Sequence, residues 1–329
     1  MNFTDYINQC KNKIRQARPS AGAEVIEWNS PFIMRPNNSN QQGILLIHGF
    51  LDSPFVMRDL AKVFQERGYL VYAILLPGHG TIPEELAHVS CNDWIAAVEF
   101  GINALKQEVT DLSIAGFSTG ATLALHYAHS HPHQPLKKIY CFSPACAIKS
   151  KLAFLTGFIS WLGHYIPRCQ FLKKYPEDDA VKYRTLMLNG AWQVYTLTRK
   201  IRHIALSCPL FFAISEQDET VNFTSALSFF KNQKNPSNNM VVFSNRDYPS
   251  EKNIAVIRSD KPDQHILCLS HHGIMVSPDN LHYGAQGDYT LKHQADYYGN
   301  VLVTTQRRDG KRVSRLFYNP GFSALLAWV

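Results

Sequence analysis

Charged residues, paired cysteines and long apolar runs are all scarce in this chain, and each scarcity removes a class of function. Only 18% of the 329 residues are charged. The formal net charge is +7, yet Lys and Arg are scattered, with only short clusters such as Lys137-Lys138, Lys173-Lys174 and Arg307-Arg308. With no basic helix or stripe interleaved with aromatics, the chain carries no nucleic-acid footprint. Solvated surface charge is the plainer reading of the excess, with weak attraction to an anionic membrane surface as the alternative. The seven cysteines (Cys10, Cys91, Cys141, Cys146, Cys169, Cys208 and Cys268) are odd in number, spread out, and form no C-x-x-C. Several sit in apolar runs, where cysteine acts as a small buried hydrophobe. Residues 1–20 mix Asp, Lys, Arg, Asn and Gln, with no secretory apolar region. A reducing, cytoplasmic setting is expected. The longest apolar stretch, Leu152 to Ile166, is shorter than the roughly 20 residues of a membrane span. Stable membrane insertion is therefore not expected. Repeats and low-complexity tracts are absent as well.

What is present is ample core material, with 45% hydrophobic residues, in a rhythm of apolar strands and amphipathic helices. Strand-like runs fall at Gly43–His48, Tyr69–Leu75, Leu112–Ala115 and Lys138–Phe142, with helical periodicity over Met57–Arg67, around Trp94–Gln107 and after Ser118. Such alternation predicts βαβ units and a mostly parallel sheet. The rhythm breaks between about 147 and 205, an aromatic and Leu-rich stretch that reads as helices without a convincing strand. It resumes at Leu210–Ser215, a helix near Thr224–Asn232, Met240–Ser244, Ile254–Arg258 and His265–Ser270. The expected organisation is an N-terminal extension (1–40), a first core part (41–146), a helical insertion (147–205), and a second core part with a C-terminal extension (206–329). A hairpin around Asp309-Gly310 and a short closing helix are expected in the last segment.

The chemistry centres on Gly116-Phe117-Ser118-Thr119-Gly120, a G-x-S-x-G between an apolar strand and a helix. In that context the motif is a nucleophile elbow, a turn so tight that Gly116 and Gly120 leave no room for a Cβ. A serine hydroxyl needs a base and a group to orient that base. Asp218, just past the strand Leu210–Ser215, is the expected acid, with Glu216 and Glu219 as rivals. His271, the first residue after His265–Ser270, is the expected base. His272 is the alternative, because two adjacent histidines cannot both face Ser118. The turn His48-Gly49-Phe50-Leu51 can aim the Phe50 amide, together with that of Thr119, at a developing oxyanion. His126, His129, His131 and His133 have no carboxylate companion and read as a surface cluster rather than a metal site. No cofactor or metal is called for.

At these residues the chain resembles the serine α/β-hydrolases, in particular the carboxylesterase and monoacylglycerol-lipase-like (serine aminopeptidase-type) branch. The resemblance rests on His48-Gly49-Phe50, Leu76-Pro77-Gly78-His79-Gly80-Thr81 with Pro83-Glu84-Glu85-Leu86, the elbow, Asp218 with Thr220-Val221, and Leu269–Ile274 running into Ser277–Asn280 and Tyr283-Gly284. It covers roughly residues 40–275. The doubled histidine and the long tail after it depart from the compact members. The resemblance implies an α/β-hydrolase fold, a mostly parallel central sheet flanked by helices, with residues 147–205 as a lid and His79 in a structural turn.

The implied activity is hydrolysis of carboxylic esters with small to medium apolar acyl chains through an acyl-serine intermediate. Within the lid, Phe154, Phe158 and Trp161 are spaced to share one helical face. That face either lines an acyl slot or merely packs on the core. The expected partner is a small-molecule, acyl-lipid-like ester; the oligomeric state is not legible. Other readings are a serine aminopeptidase, for which Glu177, Asp178 and Asp179 offer an acidic site, an acyl-thioesterase, and a non-catalytic binding protein of the same fold.

Overall fold

The computed structural model describes residues 1–38, 40–147, 171–174, 178–249, 251–301 and 304–329. In chain order, α1 (Phe3–Ala17), α2 (Ala23–Asn29) and β1 (Phe32–Met34) precede β2 (Gln42–Ile47), α3 (Arg58–Glu66), β3 (Leu70–Ile74), α4 (Cys91–Leu105), β4 (Asp111–Phe117), α5 (Thr119–Ser130) and β5 (Lys138–Phe142). Then come β6 (Phe171–Lys174), β7 (Thr185–Met187), α6 (Leu188–Lys200), β8 (Leu210–Ser215), α7 (Phe223–Lys231), β9 (Asn239–Ser244) and β10 (Ile254–Arg258). The tail adds α8 (Asp288–Lys292), β11 (Tyr297–Gly299), β12 (Thr305–Gln306), β13 (Arg312–Arg315) and α9 (Phe322–Leu326).

The main sheet has the order β1-β3-β2-β4-β5-β8-β9-β10. All its neighbours are parallel except the edge pair β1–β3. Its central strands read as unbroken apolar runs because both faces are covered. Along β2, Leu45 and Ile47 join Trp94, Ile102 and Phe230 on one face, while Ile44 and Leu46 join Leu60, Phe64 and Leu325 on the other. A reciprocal capping box starts α4: Ser90 Oγ accepts from the Asp93 amide and Asp93 Oδ2 accepts from the Ser90 amide. The alternation expected for the core is thus realised, and the carboxyl ends of β2, β4 and β8 lie along one edge, where open α/β sheets place their sites.

Two segments differ from expectation, within 147–205 and at His265–Ser270, and two others carry more structure than expected. The polar N-terminal stretch is ordered: Phe3 packs on Tyr72, Tyr6 donates to the Leu75 carbonyl (2.8 Å), and β1 adds an antiparallel strand to the sheet. Within 147–205, expected to be helical throughout, β6 pairs antiparallel with β7 before α6. The pairing is non-local, and Thr185–Met187 is too short to show a period of two. His265–Ser270 is not a strand. His265 takes a left-handed φ of 57°, and the run crosses the carboxyl edge of the sheet. Its backbone groups are met singly, Leu267 N–H by the Tyr298 carbonyl (2.8 Å), Leu267 O by Asn245 and Leu269 O by Ser215 Oγ (2.8 Å). The expected hairpin at Asp309-Gly310 forms between β12 and β13, but β11 adds a parallel third strand.

Candidate active site

The site is assembled from three strand ends and one crossing loop. At the end of β4 the chain turns through Ser118 with φ 53° and ψ −114°, a conformation that costs a non-glycine residue about 1–3 kcal/mol. The turn is closed by contact: a Cβ on Gly116 would lie 2.3 Å from the Gly120 carbonyl carbon, and one on Gly120 would lie 2.1 Å from the Ile47 carbonyl oxygen. The Ser118 amide donates to the Phe142 carbonyl (2.9 Å). The hydroxyl thus stands at the start of α5, beside the positive end of the helix dipole.

Ser118 Oγ is 3.0 Å from His271 Nε2, and His271 Nδ1 is 2.7 Å from Asp218 Oδ2. The other Asp218 oxygen accepts from the amides of Thr220 and Val221, both at 2.8 Å. A carboxylate so held requires the hydrogen on Nδ1 and leaves the Nε2 lone pair toward the serine. Asp218 is fully buried, and Ser118 and His271 retain 7% exposure each, a narrow opening on an otherwise dry group. His271 is fixed through its backbone as well: its amide donates to Glu219 Oε2 (2.9 Å), and its carbonyl accepts from Ser143 Oγ (3.1 Å).

The rival residues have other partners. Glu216 is hydrogen-bonded to Ser244 and Gln217. Glu219 holds the His271 amide; burial raises its carboxyl above the ordinary value, Asp218 adds to the rise, and Arg315, with Nε 3.6 Å away, opposes it. His272 is buried among Phe117, Tyr283 and Phe317. Its Nε2 lies 3.4 Å from Asp52 Oδ1 without a directed hydrogen bond, and burial pushes its pKa down to about 4. Geometry therefore joins His271, not His272, to Ser118.

Phe50 follows His48-Gly49 at the end of β2, and Thr119 opens α5, where a first-turn amide has no intrahelical acceptor. The His48 ring shapes this turn. Nε2 accepts the Leu76 amide (3.0 Å), so Nδ1 carries the hydrogen toward the Gly49 carbonyl (2.8 Å). Burial, reinforced by His79, pushes the His48 pKa down to about 3, so the ring is neutral. Phe50 is capped by α6: a Cβ on Gly190 would come 2.6 Å from the Phe50 ring. Asp52, the Leu51 backbone at φ 68°, and Lys182 also belong to this neighbourhood. The sequence did not single out Asp52 or Lys182, since a lone Asp and a lone Lys 130 positions apart carry no shared motif. The expected lid residues Phe154, Phe158 and Trp161 lie outside the described residues, as does Glu177. Asp179, the acid furthest inside that cluster, is engaged by the Tyr283 hydroxyl (2.6 Å) and His282 Nε2 (3.1 Å), while Asp178 is exposed and 3.7 Å from Arg184. Among the described residues no helix is long and apolar enough to cross a membrane, and no group of three or more His, Cys, Asp or Glu could hold a metal ion.

Comparison with known proteins agrees with this architecture. The family described as "Serine aminopeptidase, S33" (Hydrolase_4) matches residues 38–245. A thermostable monoacylglycerol lipase of Bacillus sp. (strain H-257) is 28% identical over 246 residues, covering 74% of this chain and 90% of that protein. A carboxylesterase of Bacillus subtilis (strain 168) is 29% identical over 194 residues, covering 56% and 75%. Among solved structures, one from the work on the metagenome-derived lipolytic enzymes LipS and LipT superposes with a TM-score of 0.56 at 23% identity, over 65% of this chain and 86% of that one. A soluble variant of the Saccharomyces cerevisiae monoglyceride lipase gives 0.53 at 12% identity, over 65% and 82%. At these identities the structural likenesses speak to the fold, which is that of the α/β-hydrolases.

Proposed function

The chain belongs to the serine aminopeptidase S33 family of α/β-hydrolases, and on that premise we propose that it is a serine hydrolase cleaving carboxylic esters of small to medium apolar acyl chains. The observation that carries this reading is the unbroken path Ser118 Oγ–His271 Nε2 (3.0 Å) and His271 Nδ1–Asp218 Oδ2 (2.7 Å). In the reaction Ser118 attacks the ester carbonyl while His271 takes its proton at Nε2. Asp218 holds the tautomer and stabilises the imidazolium. The tetrahedral oxyanion is received by the Phe50 and Thr119 amides, two donors each worth about 10²–10³ in rate. His271 returns the proton to the departing alkoxide, and water activated by the same ring releases the acid from Ser118.

Ester substrates are supported by the named relatives, a monoacylglycerol lipase and a carboxylesterase. The aminopeptidase reading needs a carboxylate free to bind a substrate's amino terminus. The buried candidate among the described residues, Asp179, is already shared between Tyr283 and His282. The test is hydrolysis of p-nitrophenyl esters from two to sixteen carbons, alongside aminoacyl and thioester substrates, by wild type and Ser118→Ala. Activity peaking at one acyl length and lost in the variant supports the reading. Esters left intact while an aminoacyl or thioester substrate turns over would replace it.

A further inference from the structure

Behind the turn that presents the Phe50 amide lies a buried charged group that the reaction scheme does not use. Asp52 is 3% exposed and its Oδ1 accepts from Lys182 Nζ at 2.8 Å. The same oxygen stands 3.4 Å from Nε2 of His272, the residue after the base. Its other oxygen is packed over the turn: a Cβ on Gly49 would lie 2.8 Å from Asp52 Oδ2. The backbone is tied at the same place. The Asp52 amide closes the turn onto the Gly49 carbonyl (3.3 Å), and Tyr183, next to Lys182, donates its amide to the Leu51 carbonyl (2.8 Å). Between these ties Leu51 is held at φ 68°, which a branched side chain does not adopt unless its surroundings impose it.

We infer that Asp52 and Lys182 are positioning residues, a buried ion pair that holds the Gly49–Asp52 turn in the shape that aims the Phe50 amide at the oxyanion. The inference rests on the serine-hydrolase reading above. The pair joins two separate parts of the chain, the turn after β2 and the segment 178–184 that leads into β7 and α6, and it stands 3.4 Å from His272 Nε2 on the loop bearing His271. Removing Lys182 leaves a carboxylate buried without its cation, and the local response is for the turn to open toward water. Leu51 then relaxes out of its left-handed conformation and the Phe50 amide swings away. A misplacement of about 1 Å in such a group costs on the order of 10²-fold in rate. Ground-state ester binding, which depends on the acyl chain, is left in place.

The experiment compares wild type, Lys182→Met, Lys182→Arg and the charge-free pair Asp52→Asn/Lys182→Met. Melting temperature, kcat and KM on the best p-nitrophenyl ester, and affinity for a trifluoromethyl ketone of the same acyl length are measured. That ketone adds to the serine and places an oxyanion in the hole, so it reports the hole itself. The expected result for Lys182→Met is a fall of about 10- to 100-fold in kcat, the same fall in ketone affinity, and KM within about 2-fold. Lys182→Arg recovers most of both. If Lys182→Met does not fold, the charge-free pair serves, because it leaves no unpaired charge. Lost ketone affinity in it supports the inference, and wild-type ketone affinity overturns it. A folded Lys182→Met with wild-type kcat also overturns it, as does a loss confined to melting temperature and to the fraction of active sites. A fluorophosphonate probe that fails to label Ser118 in the wild type removes the hydrolase reading and the inference with it. Normal labelling with an unaffected variant removes the inference alone.

Discussion

Adding one methyl group to Gly120 gives the sharpest test of how the elbow is built. The new Cβ would lie 2.1 Å from the Ile47 carbonyl oxygen and 2.6 Å from that of His48, both backbone atoms that cannot rotate aside. Reaching even the tightest tolerated separation, about 3 Å, requires α5 and β2 to part by roughly 1 Å. Two effects compete. Alanine is the better helix former by about 1 kcal/mol, while overpacking at a rigid contact costs about 1–3 kcal/mol. The clash wins because Gly120 sits in the first turn of α5, against β2 where it runs into the Gly49–Asp52 turn. Stability should fall by up to about 2 kcal/mol, at most a few degrees in melting temperature. Activity should fall further. The same displacement moves Ser118 and the Thr119 amide relative to His271 and Phe50, and about 1 Å there corresponds to about 10²-fold in rate. The assay pairs thermal unfolding with the rate of fluorophosphonate labelling of Ser118. Gly120→Ala with wild-type melting and labelling would refute the close-approach account of the elbow.

Asp218→Asn should leave the fold intact, since the amide oxygen can still accept from Thr220 and Val221. It should lower kcat by about 10⁴-fold through the wrong imidazole tautomer, read from steady-state ester hydrolysis. Buried neutral histidines predict acid lability. His48, His79 and His272 have pKa values pushed by burial to about 3, 4 and 4. The unfolded chain therefore binds protons that the native one refuses once the pH falls below about 6.5, and each site lowers stability by up to about 1.4 kcal/mol per pH unit down to its native pKa. Urea unfolding from pH 7 to 4 checks this, and a flat profile would contradict the burial of these rings. His282 has the opposite sign. Burial opposes its charge, but Asp179 and Asp288, with oxygens 3.1 and 2.6 Å from its two ring nitrogens, raise its pKa. Its stabilisation is complete below the unfolded value near 6.5 and is lost as pH rises through the raised native value. The stability gap between wild type and His282→Gln should therefore narrow from pH 6 to pH 9.

Much of this was readable in the chain because the central sheet is covered on both faces. Runs such as Leu210–Ile214 and Ile139–Phe142 are apolar throughout, and the helices between them carry an apolar stripe. The elbow was legible for the same reason, as a glycine-flanked serine between two such elements. α1 is hard to read in the sequence although Phe3, Tyr6, Ile7, Cys10 and Ile14 follow the helical period, because polar residues fill most of the positions between them. β1 and β7 are only three residues long, too short to show an alternation of their own, and β1 finds its partner β3 across α3. His265–Ser270 has a strand's composition, but the sheet ends at β10, and the tail and side chains take its hydrogen bonds. For the same reason the choice between His271 and His272 was not local: it depends on Asp218, Asp52 and the packing of Phe317 against the second ring.

The mooring of the loop bearing His271 to the tail bears on synthesis. Tyr298 receives Leu267, the Leu316 carbonyl accepts from Ser270, and Asn319 reaches the Ile274 carbonyl (2.8 Å). A chain leaving the ribosome has completed the segments bearing Ser118 and Asp218 some 80–100 residues before these anchors are made. At about 5–20 residues per second that interval lasts several seconds. Through it the loop bearing His271 lacks these three anchors, so on the proposed mechanism the nascent protein would hold Ser118 without a positioned base until the tail docks.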